Sequence, residues 1–129
     1  MKRKIAFVFF SLVLFTFVFR AELQAQTTPK PDPIAPPALV APMEGAKINI
    51  YPRKTVFEWR HVDGASKYEI EIEANEGKWV LLKNENTQLN SYTFDFPGKQ
   101  QGRWRVRSFS KATGKPGVYS AWREFTYLK

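Results

Sequence analysis

The chain has no cysteine, which removes disulfide bonds, thiolate metal ligands and lipid attachment near the N-terminus from consideration. It has a single histidine, His61, so a zinc site would have to be completed by carboxylates alone. We therefore expect His61 at the exposed end of a strand, with no metal bound. The folded part must be held together by its apolar core, to which four tryptophans and many other aromatic residues contribute.

Residues 1–25 have the three parts of a secretory signal peptide. Residues 2–4 are basic, residues 5–19 form an apolar run, and Ala25 is a small residue before a cut ahead of Gln26. The alternative is an uncleaved membrane anchor, although this run has 15 residues and a spanning helix needs roughly 20. We expect cleavage and a secreted, periplasmic or cell-surface location. Cleavage removes four basic residues and one acidic residue, so the net charge falls from +8 to +5.

Residues 26–37 form a proline-rich linker ahead of a single domain at residues 38–129. The linker contains five prolines, at positions 29, 31, 33, 36 and 37. This composition favours an extended polyproline II conformation, which rises roughly 3.1 Å per residue. The linker is either a spacer that holds the domain away from what precedes it, or a flexible leader without that role.

Two segments of the domain alternate in the period of a β-strand, in which successive side chains point to opposite faces. One segment carries a row of arginines, Arg103, Arg105 and Arg107. The other carries a row of glutamates, Glu69, Glu71 and Glu73. If the two strands are neighbours in one sheet, the rows oppose each other and form a ladder of opposite charges.

From residue 38 onward, short strands are separated by turn residues, and no helical period occurs. Asp63-Gly64 and Glu76-Gly77 are typical turn sequences. We count seven strands, and their spacing is typical of an antiparallel sandwich or a small barrel. The alternation also predicts an aromatic core made of Phe57, Trp59, Tyr68, Phe94, Trp104 and Phe125.

Five short motifs follow one another along residues 37–128. They are Pro42-Met43-Glu44-Gly45, Phe57-Glu58-Trp59, the segment 64–70, Trp104-Arg105-Val106-Arg107-Ser108 and Trp122-Arg123-Glu124-Phe125. In this order they resemble a fibronectin type III domain of the kind found on bacterial exported proteins. The resemblance implies an all-β fold, a seven-stranded antiparallel immunoglobulin-like sandwich. It also implies that the glutamate and arginine strands pair within one sheet.

The segment 119–123 resembles a degraded Trp-Ser-x-Trp-Ser motif, as found in cytokine-receptor members of the same superfamily. The resemblance implies that the rings of Tyr119 and Trp122 stack between the arginine side chains through cation–π contacts. One position departs from the family pattern. Many members carry a tyrosine two residues before the tryptophan of the arginine strand, where this chain has Gly102.

Neither catalysis nor nucleic-acid binding is supported by the charged rows. Alternate carboxylates on a strand stand roughly 6.5–7 Å apart, which is within the range used by inverting glycosidases. An acid catalyst needs a raised pKa, however, and neighbouring arginines keep carboxylates ionised. The same arginines disfavour calcium at these glutamates. The partial neutralisation of the arginine row, the inward-facing Trp104 and the export signal exclude nucleic acid as a partner.

The sequence therefore predicts a non-catalytic exported interaction module, without cofactor or metal, whose partner is an extracytoplasmic protein or glycan. The alternatives are a structural spacer, tethered if the N-terminal segment is not cleaved, and a carbohydrate-binding module. Any membrane contact would be made through that segment only. Candidate ligand-contacting aromatics are Trp79, Tyr51, Tyr119 and Trp122.

Overall fold

The computed structural model describes residues 30–49, 54–97 and 101–128 as a two-layer β-structure. The predicted signal peptide and Tyr51 lie outside these ranges. Within them, no helix is long and apolar enough to cross a membrane. The strands are β1 (Leu39–Ala41), β2 (Ala46–Ile48), β3 (Lys54–Trp59), β4 (Ala65–Asn75), β5 (Trp79–Thr87), β6 (Ser91–Asp95), β7 (Gln101–Ser110) and β8 (Arg123–Tyr127).

Two sheets face each other, with strand orders β1-β3-β6 and β2-β8-β7-β4-β5. The all-β sandwich is confirmed, but the count of seven strands and the all-antiparallel pairing are wrong. Eight strands are present in the described ranges, and β2 pairs in parallel with β8. The N-terminal strand is split because Pro42 has no N–H group to continue the backbone hydrogen bonds between β1 and β3. The chain then turns at Gly45, whose φ is +71°, and joins the other sheet as β2.

The core lies between the sheets and is built from the inward-facing positions of β3, β4, β7 and β8, together with Phe96, which directly follows β6. Its largest fully buried side chains are Trp59, Trp104, Phe57, Phe96, Phe125, Ile70, Ile72 and Val106. Of the predicted core aromatics, only Phe94 is half-buried, because β6 is an edge strand of the smaller sheet. Tyr68 is an inward-facing residue of β4 and is buried between the two sheets. Its ring meets that of Trp59 edge-on, with ring centroids 5.6 Å apart.

Among the described strands, β5 forms one edge of the larger sheet and pairs with β4 alone. On β5, Lys83 lies opposite Ile72 of β4 and Glu85 lies opposite Ile70. Lys83 and Glu85 form an ion pair of 3.0 Å. These two charged residues therefore point to the side of the sheet that carries the core. The hydrogen bond to Glu85, followed by the influence of Tyr92, raises the pKa of Lys83.

Candidate functional site

The glutamate row of β4 lies directly opposite the arginine row of β7 on the outer face of the larger sheet. The register pairs Glu69 with Arg107, Glu71 with Arg105, and Glu73 with Arg103. Arg103 Nε donates to Glu73 at 2.6 Å, Arg105 Nε donates to Glu71 at 2.7 Å, and Arg107 Nε donates to Glu69. Each carboxylate is thus bound by the guanidinium across from it, in the charge-assisted geometry that strengthens a hydrogen bond.

Aromatic rings fill the spaces between the three guanidinium groups. The ring of Tyr119 lies between Arg107 and Arg105, 4.5 and 4.0 Å from their central carbons, and Trp122 lies 4.2 Å from both Arg105 and Arg103. Both rings come from the C-terminal part of the β7–β8 loop, just before β8 begins at Arg123. Each arginine therefore has a carboxylate in its plane and aromatic rings on its faces, an arrangement that uses its planar, delocalised charge fully.

The stack extends beyond the residues that the sequence pattern indicated. Trp79, at the start of β5, covers the free face of Arg103 at 4.3 Å. At the other end, Phe109 contacts Arg107 at 5.6 Å, and Lys67 lies 4.5 Å above the ring of Phe109. We call these residues the ladder: Lys67, Phe109, Arg107, Tyr119, Arg105, Trp122, Arg103 and Trp79, with the three glutamates. Lys67 continues the outward-facing positions of the glutamate row, and Phe109 continues those of the arginine row. The alternation of the sequence could therefore have identified both residues.

The ladder shifts the pKa values of Glu69 and Tyr119 in opposite directions. Burial alone would raise the pKa of Glu69, but the hydrogen bonds from Tyr119 and Arg107 and the positive charge of Arg107 outweigh it and lower the pKa of this carboxyl. Burial, followed by the hydrogen bond to Glu69 and the charges of Glu69 and Glu71, raises the pKa of Tyr119 strongly. Glu69 is therefore held as a carboxylate and Tyr119 as a neutral donor, so neither can serve as an acid catalyst near neutral pH.

The pairing of Glu71 with Arg105 can be tested by charge reversal. We expect Glu71→Lys to destabilise the fold, and Arg105→Glu added to it to recover part of the loss, with a coupling energy of about 1 kcal/mol. The reason is that these side chains are only 15% and 29% exposed, so solvent screens their attraction incompletely. Urea unfolding of the four proteins at low and high salt measures this coupling. Strictly additive effects at low salt would contradict the pairing.

The lowered pKa of Glu69 predicts a specific acid sensitivity. Because its folded-state pKa lies below the unfolded value, ionised Glu69 stabilises the fold above the unfolded pKa, and this contribution is lost as the pH falls through the folded pKa. Tyr119→Phe removes hydrogen bonds of 2.8 Å to Glu69 and 3.0 Å to Glu71. We expect a higher Glu69 pKa and lower stability at neutral pH in this variant, but little change in acid.

An NMR titration of the carboxyl groups, combined with urea unfolding at several pH values, checks this prediction. Tyr92→Phe is the matched control, because Tyr92 lies opposite the inward-facing Phe57 and outside the ladder. An unchanged titration midpoint for Glu69 in Tyr119→Phe would show that the tyrosine hydroxyl does not set its pKa.

His61 lies next to the end of β3 and is exposed. Its Nδ1 is 3.2 Å from the hydroxyl of Tyr68, and its Nε2 is 3.7 Å from Asp63. Within the described ranges, no group of three or more histidine or acidic residues is arranged to hold a metal ion.

A cleft of about 680 Å³ opens beside β3, on the smaller sheet and away from the ladder. Its lining includes Val40, Glu58, Trp59, Arg60, His61 and Asn90. Trp59 is buried, whereas Val40 is 42% exposed. The cleft thus combines an apolar contact with charged and amide groups that can orient a ligand. Of the predicted ligand-contacting aromatics, Tyr51 lies outside the described residues, and the other three, Trp79, Tyr119 and Trp122, lie in the ladder and do not line this cleft.

The described part of the proline-rich segment, residues 30–37, runs along the β7–β8 loop. The backbone N–H of Asp32 donates to Pro116 O at 3.2 Å, and the Asp32 carboxylate accepts from the hydroxyl of Thr113 at 2.5 Å. Ile34 packs so closely on Gly117 that an added Cβ would lie 2.5 Å from the Ile34 carbonyl oxygen. These contacts attach residues 32–34 to the sandwich.

Comparison with known proteins gives a likeness in structure only. No protein-family model and no curated protein matches the chain. An Fn3-like protein from Clostridium thermocellum matches with a TM-score of 0.55 and 19% identity, over 76% of this chain and 97% of that one. A beta-1,2-glucanase from Parabacteroides distasonis matches with a TM-score of 0.51 and 17% identity, over 81% of this chain but only 14% of the glucanase. At such identities the likeness shows the fold alone, and the predicted fibronectin type III-like sandwich is confirmed.

Proposed function

We propose that this fibronectin type III-like domain is a non-catalytic exported interaction module that binds an extracytoplasmic protein or glycan in the cleft beside β3. The observation that carries the proposal is the cleft itself. Its volume of about 680 Å³ lies within the usual range of ligand sites, and Val40 contributes apolar contact while Arg60 and Asn90 contribute polar groups. The ladder supports this choice indirectly, because its charged groups and rings are already bound to one another.

The absence of catalysis is proposed from the state of the carboxylates. The closely spaced acidic groups of the chain, Glu69, Glu71 and Glu73, each bind an arginine, and the pKa of Glu69 is lowered. A glycoside hydrolase needs one carboxyl group with a raised pKa as its acid. Incubation of the purified protein with β-1,2-glucan and other polysaccharides should release no reducing ends. Any release that Glu71→Gln abolishes would refute a purely binding role.

Export is proposed from the signal-peptide pattern of residues 1–25. We expect the exported protein to begin near Gln26, and intact-mass analysis of protein recovered from the periplasm or culture fluid measures this start directly. Expression with residues 1–25 deleted is the control and should leave the protein in the cytoplasm. Recovery of the full-length chain from membranes alone would contradict cleavage and support the tethered spacer.

Binding in the cleft can be tested with matched variants. The cleft variant combines Val40→Asp with Arg60→Glu, and the control combines Val118→Asp with Lys111→Glu, which change the charge equally at exposed positions outside the cleft. Components of the native envelope or culture fluid retained by the wild-type protein should be lost by the cleft variant and kept by the control. If the wild-type protein retains nothing specifically, the spacer function replaces this proposal.

A carbohydrate ligand is the second candidate for the cleft. It is supported by the polar lining of the cleft, in which Glu58, Arg60 and Asn90 offer groups that can hydrogen-bond sugar hydroxyls. Glycan-array binding that depends on Arg60 and Asn90 would favour a glycan over a protein partner.

A further inference from the structure

A second concave site, which shares no lining residue with the cleft, lies where the N-terminal segment meets the β7–β8 loop. It is a cavity of about 220 Å³ lined by Lys30, Pro31, Arg107, Lys115, Pro116 and Gly117. The lining comes from three separate parts of the chain: the N-terminal segment, β7 and the loop. The cavity therefore exists only when the N-terminal segment is docked.

The docking contacts described above hold this cavity open in a defined shape. Asp32 is bound to Pro116 and Thr113, and its other carboxylate oxygen accepts from the backbone N–H of Ile34 at 3.1 Å. Both oxygens of Asp32 are thus bound to groups of the protein. Because Gly117 has no side chain, Ile34 can lie against it and bring Lys30 and Pro31 to the mouth of the cavity.

The lining carries three cationic side chains and no carboxylate. Arg107 is paired with Glu69, but Lys30 and Lys115 form no ion pair with any residue in the described ranges. The remaining lining residues are two prolines and a glycine. Such a site favours an anion, because two lysines without an ion-pair partner in the described ranges line one small volume, beside an arginine whose guanidinium is bound to Glu69.

We propose that this cavity binds the oxyanion of an acidic sugar unit in an extracytoplasmic polysaccharide. At about 220 Å³ it is smaller than the usual site for a drug-sized ligand, so it admits a single ring or group and not an extended peptide. The pyrrolidine rings of Pro31 and Pro116 offer apolar surfaces to the C–H faces of a sugar ring. The site is separate from the cleft beside β3, so it stands or falls independently of the binding function proposed there.

The test is calorimetric titration of the purified protein at low ionic strength, with oligogalacturonate, a neutral oligosaccharide of equal length, inorganic phosphate and a peptide rich in aspartate and glutamate. We expect binding of oligogalacturonate, no binding of the neutral sugar, and affinity that falls with added salt. Lys30→Ala combined with Lys115→Ala should weaken binding about tenfold or more, because two charge-assisted contacts are lost. Lys47→Ala combined with Lys78→Ala removes the same charge from exposed positions elsewhere and should leave the affinity nearly unchanged.

Gly117→Ala gives a further check that leaves every charge in place. The added methyl group meets Ile34 and displaces the N-terminal segment, so the affinity should fall although both lysines remain. Equal losses in the two double-lysine variants would mean that net charge alone attracts the ligand and would overturn the site. Phosphate, or a peptide rich in aspartate and glutamate, binding as tightly as oligogalacturonate would overturn the assignment to a sugar acid. No binding of any anion would overturn the whole inference.

Discussion

Replacing Trp104 with alanine is expected to lower the free energy of unfolding by about 3–5 kcal/mol, which is much of the stability of a small domain. Trp104 is fully buried on the inward row of β7, opposite Ile72, and its ring meets that of Phe57 edge-on at 5.1 Å. Trp59→Ala should have a similar cost, because Trp59 is buried against Tyr68. Both losses reflect the cavity left between two sheets that cannot close on it.

Urea unfolding of the single variants measures these losses, and Trp104→Phe is the matched control. The indole N–H of Trp104 has no hydrogen-bond partner among the described residues, so phenylalanine removes packing volume but no polar contact. We expect Trp104→Phe to cost clearly less than Trp104→Ala. A midpoint near that of the wild type for both alanine variants would show that these rings do not form the core.

The second large effect is expected at Gly102, where alanine should cost about 2–3 kcal/mol. A Cβ at this position would lie 2.7 Å from Cε2 of Phe125, which sits opposite on β8 and is itself buried. The ring cannot move away, because Phe57, Phe96 and Tyr127 surround it with centroids 5.4–5.8 Å away. Glycine is therefore required at position 102 because the ring of Phe125 occupies the space that a side chain would need.

Thermal or urea unfolding of Gly102→Ala, alone and combined with Phe125→Leu, separates overpacking from a backbone effect. If the clash is the cause, the smaller leucine should relieve part of the penalty and the two effects should not add. Wild-type stability of Gly102→Ala would mean that the ring has room to shift.

The shared outer face of the glutamate and arginine rows could be predicted from the sequence, because a strand has a period of two and slipping by one residue would reverse every side chain. Which glutamate faces which arginine could not be predicted, because a slip of two residues leaves every side chain on the same face. Alternation on β4 and β7 separates the glutamates and arginines from the core residues between them. The position of Trp79 could not be predicted in the same way. The pairing of β4 with β5 is irregular between Ile72 and Glu73, which shifts the alternation before it reaches Trp79.

Contacts between short segments that are far apart in the chain could not be predicted from the sequence either. The strands β1 and β2 have three residues each, too few to show a period, so their assignment to different sheets and the parallel pairing of β2 carry no local signal. Asp32 and Thr113 are 81 residues apart, and a proline-rich composition alone predicts an extended chain without saying what it contacts. Only tertiary structure brings these residues together.

The charges on the core side of β5 affect whether copies of this protein can associate through this edge strand. An edge strand of nine residues offers unpaired N–H and C=O groups to which another chain can add as a further strand. A neighbour arriving at β5 would continue the sheet and bury Lys83 and Glu85 under its own apolar row. The desolvation of both charges opposes that step. The sandwich thus ends at β5 in a charge pair that disfavours polymerisation, so that a high local concentration of the protein need not turn this edge into the start of a fibre.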